Sequence, residues 1–188
     1  MITLRKIAGL LILTGAIQLI VCMIIAETLY NGYSAADNYI SDLGVGPSAM
    51  IFNASMILFG LMTIGGAYYI MRAFHTRLTP LLFAIAGIAA IGVGIFTEDY
   101  HEIHLVMSVL IFLFGALSAI STIKLEKSVM RYVSALLGLT GLIALALAFS
   151  GNYLGLGPGG MERMIAYPLL LWTVGFGGYL IGLEDKQK

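Results

Sequence analysis

Charge is scarce in this chain. Ten Lys and Arg and ten Asp and Glu make only 11% of its 188 residues charged, against roughly a quarter in an ordinary soluble domain. The two signs cancel and no basic run occurs, which argues against nucleic acid and strongly anionic surfaces as partners, because both are held by clustered Lys and Arg. Cysteine is rarer still. Cys22 stands alone, so neither an intramolecular disulfide nor a thiolate metal cluster can form within the chain. The three histidines, His75, His101 and His104, are too few for haem held between histidine pairs on facing helices. A Gly-rich stretch from Gly155 to Gly160 lacks the Gly-Lys-Ser/Thr ending of a nucleotide-binding loop, so no nucleotide is expected.

Apolar residues fill the space that charge leaves, at 60% of the chain. Six segments, at about 7–26, 50–71, 79–97, 103–122, 131–149 and 164–183, reach the ~20 residues that a helix needs to cross hydrocarbon. None of the ten-residue alternation of a membrane β-barrel is present. The expected fold is all-α: a polytopic membrane protein whose residues 1–188 form one domain, a six-transmembrane-helix bundle. Arg5 and Lys6 ahead of an apolar run give the N-terminus the look of a signal peptide. The run from Ile7 to Ile25 is longer than the ~7–15 residues of a secretory core and lacks a clean small-x-small cleavage site, so it reads as a retained first span.

The basic residues set an orientation. Arg5 and Lys6, Arg72 and Arg77, Lys124, Lys127 and Arg131, and Lys186 and Lys188 all fall on one side of the six spans. The positive-inside rule makes that side cytoplasmic. The expectation is a multi-pass protein of the cytoplasmic (cell) membrane with both termini cytoplasmic. The opposite loops carry one cation, Arg163, against Glu27, Asp37, Asp42, Glu98, Asp99, Glu102 and Glu162.

Small residues recur inside the spans: Ala84, Gly87 and Gly94, then Gly138 and Gly141, then Gly175, Gly178 and Gly182. In lipid such positions let backbones approach, so they are assigned to helix packing; the same faces are open to a homodimer contact. Thr79-Pro80 reads as the cap and first position of the third helix. Pro168 is expected to loosen the last one. Gln18 and Asn53 are amides in hydrocarbon and are expected to find partners between helices.

The polar residues gather at the outer end. Asn38-Tyr39-Ile40-Ser41-Asp42-Leu43-Gly44 interrupts the long first loop, and as a short helix it would put Asn38, Ser41 and Asp42 on one face. The fourth span opens with His101 and His104 and continues through Ser108, Gly115, Ser118 and Thr122, a polar and small stripe that faces protein or water. Glu162 and Arg163 stand just before the last span. Two arrangements of these groups are open. In one, His101 and His104 converge on a metal ion, zinc by ligand type, with Asp42, Asp99 or Glu162 completing the sphere and a water activated towards a lipid ester, amide or phosphodiester. In the other, Arg163 forks onto Asp42 or Glu162 and clamps the loop, while the histidines bond the segment carrying Ser41. The free amides of the Gly-rich loop beside Arg163 offer a place for a lipid phosphate.

Three stretches carry a resemblance: Asn38 to Gly44 followed by Gly46-Pro47-Ser48-Ala49-Met50-Ile51-Phe52-Asn53, the acidic lead into His101 and His104, and Gly155 to Arg163. Together they resemble the prokaryotic domain-of-unknown-function family 998, over Tyr30 to Leu183. Through Ile40-Ser41-Asp42 and Phe52-Asn53 the chain is also distantly similar to the Frag1/DRAM/Sfk1 group of six-span proteins, some implicated in lipid-anchor remodelling or autophagy. What the resemblance implies is a small six-helix membrane protein with a polar outer site formed by Ser41, Asp42, His101, His104, Glu162 and Arg163. The functional expectation is a site, with Asn38 included, that recognises a lipid headgroup or small polar ligand, with membrane lipids as partners. The alternatives are a metal-dependent membrane lipid hydrolase or transferase, and a small transporter component.

Overall fold

Apolar runs too long for any strand fold into six helices, because a backbone in hydrocarbon must bond within its own segment. The computed structural model describes residues 2–184; Lys186 and Lys188 lie outside them. The helices are α1 (Leu4–Leu29), α2 (Ala49–Phe74), α3 (Leu78–Ile95), α4 (His101–Ser121), α5 (Met130–Phe149) and α6 (Gly157–Gly182). Short 3-10 turns, Ser41–Gly44, Gly46–Ser48, Glu98–Tyr100 and Thr122–Lys124, occupy the connections. No strand occurs among the described residues. Each helix packs on its neighbours in sequence, and α6 returns to α1, so the six close into a ring. All six are long and apolar enough to cross a membrane.

The ring turns large apolar side chains outward, among them Ile24 on α1, Leu61 on α2, Ile88 on α3 and Leu136 on α5. An exterior of this kind is stable only against lipid. Inside, Ile40, Leu43, Phe52, Met56 and Phe59 form the core at the end that carries the long 30–48 connection, here the site end. Phe83, Trp172 and Phe176 fill the opposite half, with ring centroids 5.3 Å (Phe83–Trp172) and 5.6 Å (Trp172–Phe176) apart.

Two glycine pairs set how closely the helices meet. A Cβ on Gly87 would come within 2.9 Å of the Gly60 carbonyl oxygen, and one on Gly60 would strike Gly87 in return. Gly9 and Gly177 make the same reciprocal contact between α1 and α6, at 2.6 and 2.9 Å. Gly138 and Gly94 likewise abut neighbouring backbone, whereas Gly178 and Gly182 face open space, so their expected packing role does not hold. Gln18 bridges helices as expected: its Nε2 donates to the Ser55 carbonyl at 3.0 Å. Asn53 instead reaches out of its helix, donating from Nδ2 to the Gly44 carbonyl at 2.9 Å. Thr79 is not a cap. It lies inside α3, where its hydroxyl accepts a 3.0 Å bond from Ser121 on α4.

The largest departure from the sequence reading is the start of α6, at Gly157 instead of about 164. Gly157 takes a left-handed φ of 76° and Pro158 follows it, the combination that turns a chain sharply and then sets helical φ. The Gly-rich stretch that reads as loop is therefore partly helix, and it carries Glu162 and Arg163 inside the bundle.

Candidate functional site

The 30–48 connection is shaped by its own polar groups before it meets the bundle. Ser34 N–H donates to Asn38 Oδ1 at 3.0 Å, and Asn38 Nδ2 donates to Asp42 Oδ2 at 2.8 Å. Tyr39 N–H donates to the same Asp42 oxygen at 3.0 Å. Asn38 and Asp42 thus share a face as their spacing predicts, although the helical part is only the 3-10 turn Ser41–Gly44. Ile40 and Leu43 turn into the core, while the Ser48 hydroxyl and Asn53 fasten the end of the turn through the Leu43 and Gly44 carbonyls.

Two bonds then tie the turn across the bundle. Ser41 Oγ donates to Glu98 Oε1 at 2.5 Å, reaching the α3–α4 connection. The Ile40 N–H donates to the Glu162 carboxylate on α6. Glu98 and Glu162 are close enough to each other and to Asp42 for their charges to interact.

Arg163 does not make the expected pairing with Asp42 or Glu162. Its Nη2 donates to Glu27 Oε1 at 2.9 Å and to the Tyr33 hydroxyl at 2.6 Å. Its Nη1 donates to the carbonyls of Ala35, Asn38 and Gly159 at 3.0, 3.1 and 3.1 Å. Helix α1 runs on to Leu29, and that extra turn presents Glu27 to α6. With those donors used and the side chain buried, Arg163 is a fastener of the connection and is withdrawn from any ligand. The Gly159 and Gly160 amides, expected to be free for a phosphate, both donate to the Ala36 carbonyl, at 2.9 and 3.3 Å. Burial of Tyr33 pushes its phenol up to about 12, against the opposing pull of Arg163. Tyr39 is also raised, first by burial and then by neighbouring Tyr153.

The histidines do not bond the Ser41 segment. His104 is buried and its Nδ1 lies 2.7 Å from the Phe96 carbonyl oxygen, at the end of α3. Its other nitrogen, Nε2, is buried without a partner. His101, one turn earlier, is exposed. Asp99 bonds Thr97. No three His, Cys, Asp or Glu side chains among the described residues are grouped as a metal ion requires, so the zinc arrangement is not assembled.

What the structure assembles is a cavity of about 600 Å³ at the site end, between the 3-10 turn, α4, α5 and α6. Ser41, Asp42, His101, His104 and Glu162 all line it, as do Tyr39 and Glu98. Of the residues expected at the site, Asn38 and Arg163 stand behind the lining and support it. One wall is rich in carboxylates. The other, from Leu105, Val109, Phe112, Leu145, Ala148 and Phe149, is apolar, and Leu105 and Phe149 are also exposed on the outer surface of α4 and α5. Glu98, Glu27, Tyr33 and Tyr39 were missed as site residues. Glu98 carries a readable signal in the acidic lead to His101, and Glu27 as one of the acids on the side of the lone cation Arg163.

Fold and exterior define the class: a multi-pass membrane protein built as a ring of six apolar helices. Within that class, the chain belongs to the family described as protein of unknown function (DUF998), whose model matches residues 13–179. No curated protein and no solved structure matches the chain.

Proposed function

We propose that this protein binds an amphiphilic lipid at the outer face of the cytoplasmic membrane, with both of its termini in the cytoplasm and the headgroup in the cavity lined by Asp42, Glu98, His104 and Glu162. The observation that carries the reading is the division of that one cavity into an acceptor-rich wall and an apolar wall. A free polar solute has no use for the second, and a hydrocarbon chain has none for the first.

The chemistry of the lining narrows the headgroup. Carboxylates only accept hydrogen bonds when ionised, and the nearby cation, Arg163, is already committed to Glu27, Tyr33 and three carbonyls. A bare phosphate would meet the carboxylates of Asp42, Glu98 and Glu162 with no Lys or Arg in the lining to offset them. An ammonium or a set of sugar hydroxyls brings donors to those acceptors. With its Nδ1–H turned to the Phe96 carbonyl, His104 leaves the unpartnered Nε2 as one more acceptor for a headgroup hydroxyl or ammonium. The exposed apolar residues of α4 and α5 give such a lipid a sideways route from the bilayer.

The test compares lipids with identical chains in nanodiscs: phosphatidylethanolamine and a glucosyl diacylglycerol, which carry donors, against phosphatidylcholine, whose headgroup has none. The expected result is a higher melting temperature with one or both donor lipids and a loss of that rise in Asp42→Asn and Glu162→Gln. An equal response to all three lipids overturns the reading.

A further inference from the structure

A second space begins where the polar cavity ends. A narrow crevice of about 90 Å³ lies inside the helix ring. Ser41, Ser108, Phe112 and Glu162 border both this crevice and the outer cavity, so the two lie against each other there. From there it runs inward to Thr173 and Trp172. Ten residues of α6 separate Glu162 from Trp172, about 15 Å at the helical rise, or roughly half of a ~30 Å hydrocarbon core.

The lining decides what can fill it. Most of the crevice wall is aliphatic or aromatic; of its hydroxyls, Ser118 donates to the Phe114 carbonyl and Thr173 to the Leu169 carbonyl, both at 2.7 Å, and Ser41 to Glu98, which leaves only Thr63 and Ser108 to the space. Ordered water needs two to four polar partners, which this wall does not offer along its length. A void is also out of character for the bundle. In lipid, helix association draws on dispersion and close approach, and the reciprocal glycine pairs Gly60/Gly87 and Gly9/Gly177 show the backbones brought as near as they can come. An unfilled crevice forfeits those contacts along its walls. A slender apolar chain restores them.

We infer that the crevice is a chain-binding channel: one hydrocarbon chain of the bound amphiphile threads from the outer cavity between the helices and ends against Trp172. The inference rests on the lipid-binding reading above and adds that the protein holds the tail as well as the headgroup. It makes the ligand a lipid taken partly out of the bilayer, with its headgroup on Glu162 and Glu98 and one chain inside the ring.

Trp172 is the only tryptophan in the chain and is 2% exposed, so its emission reports on the channel and is shielded from lipids around the bundle. The experiment titrates nanodiscs of unmodified phosphatidylcholine with phosphatidylethanolamine brominated in mid-chain, and separately with phosphatidylcholine carrying the same brominated chains. The expected result is saturable quenching with most of the Trp172 emission lost. In Gly115→Leu the saturable component is lost: Gly115 lines the channel and an added Cβ there touches only Leu169, at 3.4 Å, so the larger side chain grows into the space. Gly178→Leu, which faces open space, retains the quenching. Quenching that only rises in proportion to brominated lipid in the wild type overturns the channel, whether or not Gly115→Leu folds.

The two lipids separate this inference from the one beneath it. Saturable quenching by both to the same extent, sensitive to Gly115→Leu, supports the channel and removes the headgroup preference. A melting rise specific to phosphatidylethanolamine without saturable quenching keeps the headgroup site and removes the channel.

Discussion

Arg163 on α6 holds Glu27 at the end of α1, with Nη2 2.9 Å from Oε1. The pair joins two helices at the site end, and the same guanidinium reaches the Ala35 and Asn38 carbonyls of the connection between them. Arg163 is buried while Glu27 keeps 30% of its side chain exposed, so the cost of removing the arginine comes mainly from the Tyr33 hydroxyl and the three carbonyls that lose its donors, about 3 kcal/mol for the set. Arg163→Met is therefore expected to lower the melting temperature by roughly 6–12 °C, at about 2–4 °C per kcal/mol for a domain of this size. Glu27→Gln keeps an acceptor for Nη2 and should cost less. Thermal unfolding in detergent checks both, and an unchanged Arg163→Met curve removes the fastening role.

The bond from Ser41 to Glu98 ties the 3-10 turn to the start of α4. A hydrogen bond to a charged group contributes about 1.5–3 kcal/mol. Ser41→Ala and Glu98→Ala are each expected to destabilise by about that much, and the double variant by less than the sum, because both remove one interaction. Additive losses in a double-mutant cycle would mean that the two residues act separately.

At the opposite end, Glu126 in the α4–α5 connection is buried, with Oε1 accepting from Ser134 at 2.8 Å and Oε2 unpartnered. Burial pushes its carboxyl up to about 7, and the hydrogen bond from Ser134 and the nearby Thr122 hydroxyl pull the other way. The folded protein then binds this proton more tightly than the unfolded chain, whose ordinary value is 4.5. The contribution of the site is fully present below that value and is lost as pH rises through about 7. The melting temperature of the wild type should fall between pH 5 and 8 relative to Glu126→Gln, a window set by that folded value of about 7. Parallel curves would show that Glu126 does not titrate there.

Backbone contact at Gly60 and Gly87 leaves no room for a side chain. Overpacking a close-fitted site costs typically 1–3 kcal/mol, so Gly60→Val should lower stability by about that amount. Gly178→Ala, with nothing near its added methyl, should be close to neutral. Comparing the two melting temperatures distinguishes helix contact from a general effect of replacing glycine.

The six spans were legible because hydrophobicity over about 20 residues is a local property that lipid reads directly. So was the meeting of Ser41, Asp42, His101, His104 and Glu162 in one cavity, since alternation of spans sends their loops to the same end. Partners were not legible. The expected partners of Arg163 are Asp42 and Glu162, yet it bonds Glu27, because α1 extends to Leu29 and α6 starts at Gly157. Those boundaries rest on tertiary contact: the first turn of α6 is capped by the Ala36 carbonyl from another segment, a donor–acceptor match that no local pattern encodes. Glu126 escaped notice for a related reason, as its burial depends on how the α4–α5 connection folds back towards Ser134.

That capping of α6 by main chain divides the freedom to vary between the two segments. The Ala36 carbonyl receives the Gly159 amide, and the space a Cβ on Gly159 would need is taken by the Asn38 carbonyl. A carbonyl is the same in every residue, so the path of the connection at Ala35 and Ala36 is set by atoms that substitution there does not remove. Position 159 has no such latitude. The connection can therefore be rewritten at Ala35 and Ala36, while the seat it rests on stays fixed by a missing side chain.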